Sequence, residues 1–332
     1  MHNTMAEKIH ITQSELQQIW ESTDPDLPEF SKYFEIDNSI PFTPKLQLKE
    51  NVEVTADQED RHESLSLGED VILGFLNNKS RKNRKKEYEK FVLKHPDFPR
   101  IVSEGDSWFQ HPMIKDTIDH LSKYYPVYSA GAAGDTLRGM HESGDWMESI
   151  EKIQPTIFLL SAGGNDILGN QFPTFLNPYS DGLPSQNPER FLNEIFHKEI
   201  ELLKQIYQDI CEQIADRYPG LPMIGHGYDH VIPNNKNVPQ KWYQSSDKSW
   251  VGKYMLENKI EDPRDQSALV AYIIGLFNKI LAELAETYSH VHIIDLRGTI
   301  RDDQWYDEIH PTEAGYQQIE LKFLEKIRSI LN

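Results

Sequence analysis

The sequence predicts an α/β protein in which a five-stranded parallel sheet carries helices on both faces. Two observations support this. From Pro99 onward, five short apolar runs alternate with longer stretches of helical periodicity, the pattern of strands joined by crossover helices. Before that point the chain is polar, charge-rich and broken by PDLPEF and IPFTPK, so the sheet begins near residue 98. The expected organisation is an N-terminal extension over residues 1–97 and a larger domain over residues 98–332.

Within the extension, ITQSELQQIW reads as a helix with Thr12 or Ser14 near its start, and SLGEDVILGFLNN holds an apolar cluster at mixed spacing. The run Lys79, Arg81, Lys82, Arg84, Lys85, Lys86 invites a nucleic-acid reading, but Glu87 and Glu89 follow at once and a solvated helix face accounts for it. The predicted strands are RIVSEGD (100–106), VYSAG (127–131), TIFLLSAG (156–163), PMIGHGY (222–228) and VHIIDLR (291–297). Helices are expected near 113–124, 135–152, 191–218, 266–288 and 312–330. Pro311 and Thr312 mark the start of the last, and Ile319, Phe323, Ile327 and Ile330 form its apolar stripe. Two inserts, LGNQFPTFLNPYSDGLPSQNP and IPNNKNVPQKWYQSSDKSWVGKYMLENKIEDP, follow the carboxyl ends of the third and fourth strands. Ligands bind at that edge of open α/β sheets, so the inserts read either as a lid or substrate wall or as surface decoration.

Composition narrows the function classes. The 53 acidic residues against 34 basic ones give a formal charge of -19, which disfavours attraction to phosphate backbones and anionic lipid, so nucleic acid is not an expected partner. The single cysteine, Cys211, lies in an amphipathic stretch and reads as a small core residue; it allows no intrachain disulfide. The first twenty residues lack the apolar run of a signal peptide and no stretch approaches a transmembrane length, so the expected location is cytoplasmic.

The candidate chemistry gathers at strand ends. Ser107, in Glu104-Gly105-Asp106-Ser107-Trp108-Phe109, sits where the first strand turns into a helix; it is a nucleophile if a base activates it and an N-cap otherwise. Near the other end of the chain, Asp307 precedes His310 by three residues, a spacing at which a carboxylate can hold an imidazole's second N–H and fix its tautomer. Ser161-Ala-Gly-Gly-Asn165-Asp166 ends the third strand. It offers tight backbone approach and a neutral side-chain donor for an oxyanion, or forms a plain turn. Gly131 and Gly134, after the second strand, add a loop where a bare backbone N–H could face the same point. Asp106 and Asp166 read as loop-fixing carboxylates, and His111 as a rim or loop residue. His226 and His230 are a pair four apart that would need a third ligand to hold zinc.

These motifs, in this order, resemble the SGNH hydrolases, also called GDSL-type esterases and lipases. Gly105–Ser107 is similar to the nucleophile block, Gly134 of A-G-D-T to the second block, Gly163–Asp166 to the third and Asp307–Pro311 to the last, so the resemblance covers residues 98–332. It implies a flavodoxin-like three-layer α/β/α sandwich and an acyl-enzyme mechanism. Ser107 would attack an ester carbonyl, His310 take its proton and Asp307 orient the imidazole, with the Ser107 and Gly134 N–H groups and the Asn165 side chain forming the oxyanion hole. No metal or organic cofactor is implied, and the substrate would be a small-molecule or lipid ester. The departure lies at Trp108 and Phe109, where smaller or aliphatic residues usually follow the serine; Trp108 narrows the site or packs beneath it, and Tyr228 is a candidate wall residue. A non-catalytic binding module of the same fold and an acyltransferase using the same site are the competing readings.

Overall fold

In the computed structural model each of the five runs forms a strand: β1 (Ile101–Gly105), β2 (Val127–Ser129), β3 (Ile157–Ser161), β4 (Met223–His226) and β5 (Val291–Ile294). The residues described are 8–12, 15, 19, 30–37, 45–49, 51–55, 67–111, 114–168, 171–177, 187–233 and 251–332. All residues of β1, β3 and β4 are buried, which is why IFLL and similar runs show no polar alternation. β1 pairs with β2 on one side and β3 on the other, and β4 and β5 follow, giving the order β2-β1-β3-β4-β5 with every pairing parallel. Because Gly105 stands opposite Ser161, the loops leaving β1 and β3 start side by side at the carboxyl edge.

A helix that the sequence pattern does not delimit, α1 (Leu67–Lys94), precedes the sheet, and the main helices after it follow the predicted order: α2 (Thr117–Leu121), α3 (Leu137–Ser143), α4 (Asp145–Ile153), α5 (Glu194–Arg217), α6 (Pro263–Thr287) and α7 (Glu313–Leu331). α2 and α7 pack on each other, while α3 meets α5 and α5 meets α6, so the sheet lies between two helical layers in a three-layer α/β/α sandwich. The stretch expected as one helix over 135–152 is two. Gly144 adopts φ 70°, a left-handed conformation that ends α3 and begins α4. The expectation that no apolar stretch reaches membrane-spanning length also needs correction. Residues of α6 reach a mean hydropathy of 1.7 over an 18-residue window. Its side chains Leu269, Val270, Ile273, Ile274, Phe277, Leu281 and Leu284 are buried, and the helix packs on β4, β5 and α5, which makes it a core helix by position. Cys211 is fully buried on α5, where burial pushes its thiol up to about 12.

Contacts divide the chain into two compact units, residues 1–79 with 240–247 and residues 80–239 with 248–332. In the first, Ile9–Thr12 pairs in parallel with Val52–Thr55, and Phe34–Asp37 runs antiparallel to Lys45–Leu48. Thr12 and Glu15 cap one another: the Glu15 N–H donates to Thr12 Oγ1 at 3.2 Å, and the Thr12 N–H to Glu15 Oε2 at 3.0 Å. Ile11 and Thr12, expected to begin a helix over 11–20, end a strand instead, Glu15 and Ile19 are helical, and the other residues of that stretch, with most of both inserts, lie outside the described residues.

Residues 80–94, which composition alone groups with the extension, belong to the second unit. The basic run explains why. Lys82, Lys85 and Lys86 are exposed, but Arg81 donates from Nε to the Gly131 carbonyl at 2.9 Å and Arg84 is buried. The Arg84 guanidinium reaches Asp116 at 2.5 Å, Asp119 at 3.0 Å, the Phe109 carbonyl at 2.5 Å and Gln110 Oε1 at 2.6 Å. It therefore clamps the segment that follows Ser107. Removing one partner of such a pair strands the other, so Arg84→Met is expected to lower unfolding free energy by about 3–5 kcal/mol, read from urea denaturation. A change below 1 kcal/mol would show that the clamp adds nothing to stability.

Candidate active site

The turn after β1 is built by Asp106 rather than by Ser107. The Asp106 carbonyl accepts N–H bonds from Phe109 at 3.0 Å and Gln110 at 2.8 Å, and its Oδ1 accepts from the Trp108 N–H at 3.0 Å. Ser107 is thus not used as the cap. A side chain at Gly105 would meet the Phe109 ring and the Ser161 Cβ at 2.9 Å, so the turn can form only with glycine before Asp106. The Ser107 hydroxyl lies 2.7 Å from His310 Nε2.

His310 comes from the loop between β5 and α7, a tight turn in which Trp305 bridges Pro311 and the Tyr306 N–H donates to the His310 carbonyl at 2.7 Å. Its Nδ1 faces both Asp307 oxygens, at 2.9 and 2.8 Å, and Asp307 Oδ1 also accepts the N–H groups of Ile309 at 2.9 Å and His310 at 2.7 Å. Burial opposes ionisation of Asp307, but the His310 ring and these backbone donors outweigh it and hold the carboxyl below its ordinary range. The Nδ1 proton is therefore held on the Asp307 side and Nε2 presents its lone pair to Ser107. Two further bonds tie this segment to the nucleophile turn: Trp108 Nε1–H donates to the Ile309 carbonyl at 3.1 Å, and the Tyr316 hydroxyl to the Ser107 carbonyl at 3.2 Å. His111 is buried edge-on to His310, with ring centroids 5.0 Å apart, and its backbone N–H is held by Asp116 at 2.6 Å.

The other two loops interlock. Asn165 donates from Nδ2 to the Asp135 carbonyl at 2.9 Å, joining the loop after β3 to the one carrying Gly134. Asp166 reinforces the link by accepting the Leu137 N–H at 2.7 Å and the Arg138 N–H at 3.4 Å at the start of α3. Gly134 has φ 91° and Gly163 φ 99°; a side chain at Gly163 would also strike the Phe277 ring at 2.7 Å. Among the described residues, no acceptor pairs with the backbone N–H of Ser107 or Gly134.

Beneath this edge runs a buried polar chain that sequence reasoning missed. Asp106 Oδ1 also meets the Ser161 hydroxyl at 2.9 Å, Ser161 meets His226 Nε2 at 2.9 Å, and Asp106 Oδ2 accepts from the Tyr228 hydroxyl. Burial pushes Asp106 up to about 6, against the hydrogen bonds it accepts, and pushes His226 down to about 4. Of the two readings of Trp108, narrowing the site or packing beneath it, the structure favours the second: Trp108 and the candidate wall residue Tyr228 are both buried, in edge-on contact with each other. His226 points inward to Ser161 whereas His230 is exposed, so the two side chains face different surroundings.

The chain belongs to the GDSL-like lipase/acylhydrolase family, whose sequence profile matches residues 105–318. Members of this family hydrolyse esters, and the match spans the segments that carry Ser107, Gly134, Asn165 and the Asp307–His310 pair. No curated protein matches the chain. Among solved structures it is similar to a GDSL-like lipase from Bacteroides thetaiotaomicron, at 13% identity and TM-score 0.41, over 73% of this chain and 97% of that one. It is also similar to an extracellular lipase from Streptomyces rimosus, at 13% identity and TM-score 0.43, over 68% and 99% of the two chains. A phospholipase A1 from Streptomyces albidoflavus is similar at 13% identity and TM-score 0.43, over 69% and 99%.

One buried acid at this edge sets a pH dependence of stability. Glu104, on β1 beside Gly105, is 3% exposed, and burial pushes its carboxyl from 4.5 up to about 8. A proton held more tightly in the folded state stabilises fully below pH 4.5, and that contribution is lost as pH rises towards 8. Glu104→Gln keeps an acceptor for the Gly105 N–H and removes the charge. Its unfolding free energy relative to wild type should therefore grow between pH 5 and pH 8, by roughly 1–4 kcal/mol. A difference that stays flat across that range would contradict the shift.

Proposed function

We propose that the protein is a serine-dependent carboxylic ester hydrolase that works through an acyl-enzyme on Ser107. The observation that carries this reading is the aligned contact series of Ser107 Oγ, His310 Nε2, His310 Nδ1 and the Asp307 carboxylate, closed at 2.7 Å and 2.8 Å. As Ser107 attacks the ester carbonyl, its proton passes to His310 Nε2, and Asp307 stabilises the resulting imidazolium. The same proton then goes to the leaving alcohol. A water deprotonated by His310 attacks the acyl-enzyme in turn and releases the acid.

The negative charge that develops on the carbonyl oxygen needs donors fixed before the reaction begins. The backbone N–H groups of Ser107 and Gly134 and the second amide hydrogen of Asn165 are suited to this role, since the first Asn165 hydrogen is occupied by Asp135. An aromatic layer under the turn, formed by Trp108, Tyr228 and Tyr316, keeps Ser107 on a rigid base. The substrate is proposed to be a small-molecule or lipid ester.

Two measurements test the reading. Ser107→Ala should abolish turnover of nitrophenyl esters from acetate to palmitate, together with covalent labelling by an alkyl phosphonate; substantial residual turnover would rule out the assignment. Asn165→Ala should lower kcat about 10²- to 10³-fold while the protein stays folded and is still labelled. The chain-length profile of the wild type assigns the substrate class, with turnover confined to acetate indicating a deacetylase and preference for long chains a lipid acyl hydrolase.

A further inference from the structure

We propose that Tyr228 is a positioning residue that fixes the distance between Ser107 and Asn165, acting through Asp106. This rests on the reading of Asn165 as an oxyanion donor. The phenol sits between two turns with a hydrogen-bond polarity that geometry fixes. The Gly164 N–H donates to the Tyr228 oxygen at 3.1 Å, so the one phenolic hydrogen is left for Asp106 Oδ2, its other close partner. Burial pushes the phenol's pKa well above its ordinary range, which keeps that hydrogen in place. On the far side, Asp106 Oδ1 takes the Trp108 N–H, one residue past Ser107. A continuous path of hydrogen bonds therefore runs from the Ser107 turn through Asp106 and Tyr228 to Gly164, the residue before Asn165.

Packing leaves the ring one position. It stacks on Phe277 at 5.6 Å and stands edge-on to Trp108 at 5.0 Å. The backbone of Gly164 approaches so closely that a side chain there would meet Tyr228 Cζ at 2.9 Å. Its hydroxyl is committed to Asp106 and Gly164, so its effect on catalysis passes through the two turns it joins. Removing the hydroxyl takes a partner from the Gly164 N–H and from Asp106 at once, and leaves the ring packing intact.

A double-mutant cycle tests this, using kcat for a nitrophenyl ester. Tyr228→Phe is expected to lower kcat roughly 10-fold with KM changed less than about 2-fold, because the group lost acts on the transition state. In the Asn165→Ala background the same substitution should cost less than about 2-fold, since the donor it positions is gone. Costs that multiply would overturn the proposal and leave Asn165 as a donor, whereas an Asn165→Ala variant of wild-type kcat would overturn the oxyanion reading together with it. Asp106→Asn, whose single amide oxygen cannot serve both Tyr228 and the Trp108 N–H, breaks the same path at its other end, so it should lower kcat in the wild type but by less than about 2-fold in the Asn165→Ala background. Losses that multiply in this pair would also overturn the proposal, and this comparison holds if Tyr228→Phe does not fold.

Discussion

The carboxyl group of Asp106 is the fixed point of this protein. It accepts the Trp108 N–H from its own turn, meets the Ser161 hydroxyl at the end of β3 and accepts the Tyr228 hydroxyl just beyond β4, so three segments far apart in sequence are referenced to one side chain. Taking a carboxylate out of water is costly, and burial raises Asp106 to about 6 in spite of these bonds. In return the turn is built without the Ser107 hydroxyl, which lies 2.7 Å from His310 Nε2. Assigning the cap to the residue before the serine frees the serine for His310.

Two histidines at the same sheet edge show how environment divides labour between identical side chains. His310 has a carboxylate at Nδ1, which can balance the positive charge of a protonated ring. Among the described residues His226 has the Gly227 carbonyl and no carboxylate at its Nδ1, and it lies against Trp108, Phe109 and Phe323, where burial pushes it down to about 4. One ring therefore has a carboxylate behind it and the Ser107 hydroxyl in front, while the other stays neutral at physiological pH and serves as a hydrogen-bonding strut for Ser161. The Asp307 carboxylate makes the difference.

What was legible in the sequence follows the range of the interactions concerned. Strands were readable because burial on both faces leaves continuous apolar runs, and the sheet edge was readable because each run stops at a glycine or an acidic residue. Asp307 and His310 lie three apart, so their contact is written locally, and Ser107 was recoverable as the residue after a buried strand. The roles of Trp108, Tyr228 and Arg84 were not, since their hydrogen bonds span 201, 122 and 32 residues and no local pattern encodes them. Arg84 sits in a run that looks like a charged surface, and only tertiary structure distinguishes it from Lys82 or Lys85. Gly144 is an intermediate case: a glycine inside a helical pattern signals a break, but its left-handed φ of 70° appears only once α3 and α4 are seen.

Glu308, between Asp307 and His310, adds a separation of function to this arrangement. Its carbonyl accepts the Ile232 N–H at 3.0 Å, and its carboxylate accepts the N–H groups of Val251 at 2.8 Å and Gly252 at 3.2 Å. Both ends of the long connection after β4 are thus pinned to one residue in the segment that carries the candidate base. Asp229 does the same for the loop after β5, accepting from Gly298 and Ile300 at 2.7 Å each. A loop closed at its root pays an entropic cost that grows only slowly with its length, so the chain between Ile232 and Val251 can change without disturbing its anchor. The position of the Asp307–His310 segment is then tied to the anchors at Glu308 and Asp229 rather than to the composition of the connection between them.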